Sequence, residues 1–193
     1  MASETVRILD VGCGNNKVKG AIGVDISPNT QADVIHDLDS FPYPFRDDEF
    51  DVIYCNHIVE HVADVVRFMD EIYRVAKPGA IISLVTPHFS NPRAYADPTH
   101  RRYLSVAAFD FLLDGKAPPN ISILDRVLEI KYPPPTLDKK ARFEKIETRL
   151  KFGRPFRYTG IQWLANRFLN AYEFYFCGIF PARDIYVKLR VIK

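Results

Sequence analysis

Two short stretches near the start of the chain have the residue types and spacing to hold a nucleoside. Leu9-Asp10-Val11-Gly12-Cys13-Gly14 runs from apolar residues into a glycine-rich turn, and Gly23-Val24-Asp25 follows in a second apolar run. A glycine turn at the carboxyl end of a strand lets a ligand approach the backbone. An acid at the end of the next strand can accept two hydrogen bonds from ribose hydroxyls. A mere turn would explain Gly12 and Gly14 but leave the placing of Asp10 and Asp25 unexplained.

The same residues narrow the choice of nucleoside. A dinucleotide site asks for Gly-x-Gly-x-x-Gly opening a helix whose N-terminus receives a pyrophosphate. Here Lys17 stands at the third glycine position, and only residues 15–20 separate Gly14 from Ala21. A parallel crossover normally takes about a dozen residues or more, so a full helix hardly fits. S-Adenosylmethionine has no phosphate and loses less from that absence. Its sulfonium cation also suits the acids at Asp10, Asp25 and Asp37.

Methyl transfer is an in-line displacement, so the acceptor atom must be aligned with the methyl group and water excluded. A hydroxyl acceptor also needs a base, and histidine titrates in the right range. His88 and His100 are the candidates for that catalytic role; each could equally bond backbone carbonyls and shape its loop. Arg101 and Arg102 could bind an anionic substrate or simply face solvent. His57-x-x-Glu60-His61 fits the His-x-x-Glu-His pattern of zinc peptidases, in which the two histidines share a helical face. No second ligand motif accompanies it, and no metal is expected.

These groups need elements to carry them. Strands are predicted at Val6–Val11, Ala21–Ile26, Asp33–Leu38, Phe50–Cys55 and Ala80–Val85. Ile58, Val62, Val65, Met69, Ile72 and Ala76 step by three and four residues, which predicts a helix ended by Pro78-Gly79. Alternating strands and helices imply a parallel sheet covered on both faces. Later segments are less regular. A short helix is expected at Ser105–Leu113, extended loops at Pro118-Pro119 and Pro133-Pro134-Pro135, a sixth strand at Phe143–Phe152 and a final strand at Arg183–Ile192. Between the last two strands, Thr159–Phe176 suits a helix rich in aromatics.

At this point the sequence resembles the class I S-adenosylmethionine-dependent methyltransferases. The resemblance covers residues 6–90. It rests on Leu9-Asp10-Val11-Gly12-Cys13-Gly14, Asp25, His36-Asp37-Leu38, Phe50-Asp51-Val52-Ile53, His57-Ile58-Val59-Glu60-His61 and Arg74-Val75-Ala76-Lys77-Pro78-Gly79, in that order. More narrowly, it looks like short bacterial-type members of unassigned substrate that carry Asp97-Pro98-Thr99-His100-Arg101-Arg102 after the fifth strand. The resemblance implies that Gly12 and Gly14 pass beneath the methionine part of the cofactor and that Asp25 holds the ribose. It implies that Asp37 accepts from the adenine amino group beside Leu38, and that Asn56 and His57 line the amino-acid end. Asn16 departs from the family's third glycine. Asp37 could also be a turn cap, and Asn56 a strand terminator.

The expected fold is therefore α/β: a Rossmann-like, doubly wound, mostly parallel sheet of the seven-stranded methyltransferase type with an antiparallel last strand. Residues 1–193 fit a single domain, with 1–90 as the cofactor-binding half and 91–193 as the substrate side. The expected activity is methyl transfer to a small molecule, with an oxygen nucleophile favoured. A non-catalytic S-adenosylmethionine-binding scaffold and an NAD-dependent oxidoreductase are the rivals. The net charge of +2 argues against nucleic acid, and Lys139-Lys140-Ala141-Arg142 reads as a solvated turn. Cys13, Cys55 and Cys177 form no Cys-x-x-Cys pair, so neither a disulfide framework nor a zinc ribbon is indicated. Met1–Thr5 carry no signal segment and no apolar run approaches membrane length, which makes the cytoplasm the expected compartment. The aromatic segment 158–180 is read mainly as core, with a lid over an apolar substrate, a homodimer face or membrane-surface contact as further possibilities.

Overall fold

Ile8–Val11 forms β1 because it is a short apolar run that Gly12 can end; Gly12 adopts φ +68°, a left-handed turn that suits glycine. The computed structural model describes residues 5–113, 122–130 and 142–193. The strands that follow are β2 (Ile22–Asp25), β3 (Val34–Ile35), β4 (Phe50–Asn56), β5 (Ala76–Pro87), β6 (Phe143–Lys151) and β7 (Asp184–Val191). They form one sheet in the order β3-β2-β1-β4-β5-β7-β6. The pairs from β3 through β5 are parallel, while β7 runs antiparallel to both neighbours. This is the expected Rossmann-like sheet, with its last strand alone reversed.

Helix α1 (Val65–Val75) turns Val65, Phe68, Met69, Ile72 and Val75 into the core and packs against β5. It starts seven residues later than the apolar spacing suggests. Ile58 and Val62 do turn inward, but from tight turns before the helix, so the same spacing extended beyond the helical backbone. Asp64 sets the true start: its Oδ1 accepts the Arg67 N–H at 3.0 Å. Asp64→Ala should therefore cost about 1 kcal/mol of stability, seen as a lower urea midpoint at unchanged slope. The helix ends at Val75, and β5 already begins at Ala76, before Pro78-Gly79.

Alternation of strands and helices does not hold in the first half. The three crossovers at 12–21, 26–33 and 36–49 contain no helix. Side-chain bonds do the covering instead. In the third crossover the Tyr43 hydroxyl donates to the Leu38 carbonyl (2.9 Å), and Tyr43 N–H donates to Glu71 Oε2 on α1 (2.8 Å). Arg74 donates to the carbonyls of Tyr43 and Phe45 while pairing with Glu71 and Asp47. This cluster fixes the loop that presents Asp37, Leu38 and Asp39.

The second half supplies the 3-10 turn Val106–Leu112 and the short helices α2 (Ile123–Val127), α3 (Arg154–Arg157), α4 (Ile161–Arg167) and α5 (Leu169–Ala171), then a π turn at Tyr172–Phe176. The single aromatic helix expected over 159–176 is broken at Phe168, whose φ of −135° and ψ of 60° are not helical. Ala165, Leu169, Ala171 and Tyr172 face inward, whereas Tyr158, Trp163, Phe174 and Tyr175 are at least half exposed. The segment is thus core along one side only. Pro118-Pro119, Pro133-Pro134-Pro135 and Lys139-Lys140-Ala141 lie outside the described residues; Arg142 pairs with Asp70 at 2.6 Å.

Candidate active site

The strand order reverses between β1 and β4, and a doubly wound sheet binds ligands outside the carboxyl ends of its strands at that point. The residues there are the glycine turn, Asp25 and the loop after β3. Gly12 and Cys13 donate their N–H groups to the Val24 carbonyl. The Gly14 N–H donates to Asp25 Oδ2 at 2.9 Å, and the Ser27 N–H to Oδ1 at 3.0 Å. Asp25 therefore locks the turn and keeps further lone pairs for a ligand. A Cβ at Gly12 would lie 2.7 Å from the Ile58 side chain, so the turn passes that residue as closely as a backbone can.

A cavity of about 250 Å³ opens here, lined by Gly12, Asp25, Ile26, Asp37, Leu38, Asp39, Ile58, His61, Val62 and Arg101. Asp37 uses Oδ1 to accept the Asp39 N–H at 2.9 Å. Asp39 accepts the Ala63 N–H and faces the Arg101 guanidinium at 3.7 Å, so a cation stands across the mouth. Glycine backbone below and three carboxylates around the wall are the surroundings that an adenosyl sulfonium needs: hydrogen-bond acceptors for the ribose and amino groups, and negative charge for the cation. No phosphate-binding helix terminus is offered, because the crossover after Gly14 has no helix.

Of the cofactor residues expected from sequence, Gly12, Asp25, Asp37 and Leu38 meet at this cavity. Four others stand outside its wall. Gly14 anchors Asp25. Asp10 is buried beneath the turn, where its Oδ2 accepts the Val18 N–H at 2.7 Å; burial raises its pKa, and the Val18 bond and Lys17 partly offset that. Asn56 is exposed at the end of β4. His57 follows it with φ +53°, and its Nδ1 lies 3.4 Å from Glu60 Oε1; the Glu60 carboxylate raises its pKa. His57 is not on a helix, which removes the helical zinc-peptidase arrangement.

On the acceptor side the two candidate histidines have different surroundings. His88 is fully buried. Its Nε2 meets Glu173 Oε1 at 2.8 Å and its Nδ1 meets the Ser90 hydroxyl at 2.7 Å, so both ring nitrogens are engaged. Among the described residues His100 hydrogen-bonds through Nδ1, to the Ala94 carbonyl at 2.7 Å; its Nε2 stands 3.9 Å from Asp97 Oδ2, and its ring stands edge-on to His61 with centroids 4.7 Å apart. His61, Asp39 and Arg101 were not singled out as cofactor residues by sequence. His61 and Arg101 belong to quoted motifs, and Asp39 follows Asp37-Leu38 directly, but nothing in their spacing shows that two separate loops meet here.

Residues 9–84 match a family described as a methyltransferase domain. The tocopherol O-methyltransferase of Arabidopsis thaliana is 33% identical over 104 residues, covering 42% of this chain and 30% of that protein. The demethylmenaquinone methyltransferase of Tropheryma whipplei is 30% identical over 115 residues, covering 50% of this chain and 47% of that protein. The chain spans less than half the length of these curated relatives. A solved S-adenosylmethionine-dependent methyltransferase from Archaeoglobus fulgidus shares the fold over 97% of this chain and 86% of its own, with a TM-score of 0.55 and 18% identity. By sheet order and switch-point cleft the chain has the fold of the solved S-adenosylmethionine-dependent methyltransferases, and residues 9–84 within that fold are the part similar to the methyltransferase domain family. No helix among the described residues is long and apolar enough to cross a membrane.

Proposed function

We propose that the chain transfers the methyl group of S-adenosylmethionine directly to an oxygen of a small-molecule acceptor. The observation that carries the reading is the 250 Å³ cleft at the switch point, with Gly12, Asp25 and Asp37 on its cofactor side and His61 and Arg101 on its rim. The cofactor, when bound, supplies a methyl group on a positively charged sulfur. Asp25 orients the ribose, Asp37 the adenine amino group, and the acids favour the cation. Asp10 and Gly14 act by holding the turn, and Asn56 and His57 border the amino-acid end from outside the cavity wall. Arg101, drawn to Asp39, narrows the mouth and limits water.

When bound, the cofactor would offer its methyl carbon to a lone pair of the acceptor oxygen, the pair of the broken carbon–sulfur bond would stay on sulfur, and the hydroxyl proton would pass to a base. The His61–His100 pair brings ring nitrogens to that side, and His100 is the sequence candidate with a nitrogen, Nε2, that makes no hydrogen bond among the described residues, with Asp97 Oδ2 3.9 Å from it. A second cavity of about 330 Å³, lined by Ile161, Leu164, Phe168, Tyr172, Phe176 and other apolar residues, suits an apolar part of the acceptor. Relatives named for tocopherol and demethylmenaquinone agree with such an acceptor. The exposed aromatics at 158–176 are where a second copy of the chain or a membrane surface would meet it.

Calorimetric titration tests the cofactor half: S-adenosylmethionine and S-adenosylhomocysteine should bind and NAD should not. Failure of the first two to bind would sink the proposal, and binding without turnover on any prenylated quinol or phenol would favour the scaffold reading. His100→Ala should lower kcat about 100-fold or more while changing cofactor affinity less than about threefold. Full activity would remove His100 from the chemistry.

A further inference from the structure

Glu60, His61 and His100 come from two separate loops and converge at the cleft rim. A carboxylate oxygen of Glu60 and one ring nitrogen from each histidine all lie within 4.8 Å of one another. The loops are held in this register by the Arg101 N–H, which donates to the Glu60 carbonyl at 2.8 Å, and by Thr99, whose hydroxyl meets His61 Nδ1 at 3.0 Å.

The hydrogen bonds fix the tautomer of each ring. A backbone carbonyl only accepts, so His100 Nδ1 carries the proton it gives to Ala94. The Thr99 hydroxyl spends its one proton on Asp97 Oδ1 at 2.6 Å, and these Thr99 bonds hold the Asp97 pKa down. Thr99 therefore accepts from His61 Nδ1–H. Among the described residues neither Nε2 makes a hydrogen bond, and Asp97 Oδ2 stands 3.9 Å from that of His100; the Nε2 lone pairs are thus placed as in metal-binding histidines oriented by a carboxylate or carbonyl behind them.

Glu60 adds an independent observation. Its side chain is only 1% exposed, and Oε2 accepts from the Thr86 hydroxyl at 3.1 Å, yet Oε1 has no hydrogen-bond partner among the described residues. An unpaired buried carboxylate oxygen is costly unless something positive completes it. His57 Nδ1, 3.4 Å away on a half-exposed ring, does so only in part. Arg101 and Arg102 turn their guanidinium groups elsewhere, to Asp39 and the Ala63 carbonyl.

We propose that Glu60, His61 and His100 bind one divalent first-row transition-metal ion beside the cofactor cleft, with positions open for the acceptor's oxygen. Two imidazoles and one carboxylate suit such ions better than Mg²⁺ or Ca²⁺. Ligand atoms around a tetrahedral ion with bonds of about 2.05 Å stand about 3.3 Å apart. The ion's role on the acceptor rests on the oxygen-acceptor reading above: it would lower the hydroxyl's pKa, so that His100 acts through the ion rather than as a free base. In the proposed site His100, from a loop about forty residues on, takes the place that His57 has in the His-x-x-Glu-His pattern.

The test is calorimetric titration of the chelator-stripped full chain with Zn²⁺ and, separately, Mn²⁺, without cofactor or acceptor. One ion per chain is expected, with affinity at least tenfold weaker in Glu60→Gln and in His100→Ala. Thr99→Val, which removes only the hydroxyl behind His61, should weaken binding about tenfold and keeps the test open if a ligand variant does not fold. His57→Ala should keep the site, whereas a helical zinc motif would lose it. Wild-type binding of neither ion, or equal affinity in Glu60→Gln, His100→Ala and Thr99→Val, overturns the site. S-Adenosylmethionine titrated into the same samples separates the two readings. Cofactor binding without metal binding overturns the ion site alone, and metal binding without cofactor binding overturns the methyl-transfer reading alone.

Discussion

Asp25→Ala is expected to weaken S-adenosylhomocysteine binding ten- to a hundredfold or more in calorimetric titration. The wild-type carboxylate has two sets of partners. One is internal: the N–H groups of Gly14 and Ser27, at 2.9 and 3.0 Å. The other is the ligand, whose ribose hydroxyls would take the remaining lone pairs. A hydrogen bond to a charged group contributes about 1.5–3 kcal/mol, and each 1.4 kcal/mol is about tenfold in affinity. Losing the ligand's bonds alone gives the lower bound. Losing the Gly14 anchor as well lets the turn move and adds to it. Asp25→Asn keeps one acceptor oxygen and should fall between the two. Affinity equal to wild type in Asp25→Ala would remove this residue from the site, and a urea titration of the same variant shows whether the turn alone was lost.

The cofactor side could be read from the sequence because its information is local. Gly12, Asp25, Asp37 and Leu38 each sit at or just past the end of a strand, and strand ends show as a break between apolar residues and turn formers. The sheet was legible for the same reason, including β7, whose Ile185, Val187, Leu189 and Val191 alternate and are all buried. Helix α1 was read too long because apolar spacing reports burial and not hydrogen bonding; Ile58 and Val62 face inward from turns. The missing crossover helices could be inferred only for the first, where the count of residues forbids one. The acceptor side was less legible because it is built from contacts distant in sequence. Nothing near His61 announces Thr99 or His100, and nothing near His88 announces Glu173, which is 85 residues away.

That last contact sets the second large expectation: Glu173→Ala should destabilise the chain by about 3–4 kcal/mol, as a fall in urea midpoint. Glu173 lies in the π turn and is almost fully buried. Its Oε1 accepts from His88 Nε2 at 2.8 Å and from the Val106 N–H at 2.7 Å, so one oxygen joins the end of β5, the 3-10 turn and the aromatic segment. Truncation leaves two buried donors unpaired, at about 1–3 kcal/mol each, and the His88 ring is then held only from its Nδ1 side among the described residues, by Ser90. Since Nε2 donates to Glu173, Nδ1 accepts from the Ser90 N–H and hydroxyl, and Ser90 Oγ in turn accepts the Ala182 N–H. A neutral His88 is thereby fully satisfied and has no free nitrogen for an acceptor proton. His88→Ala should accordingly resemble Glu173→Ala, with lower stability and, well below the new melting temperature, near-normal kcat per folded molecule. Loss of kcat in a fully folded His88→Ala chain would return this histidine to the chemistry, and a change under 1 kcal/mol in Glu173→Ala would show that the clamp does not hold the two halves together.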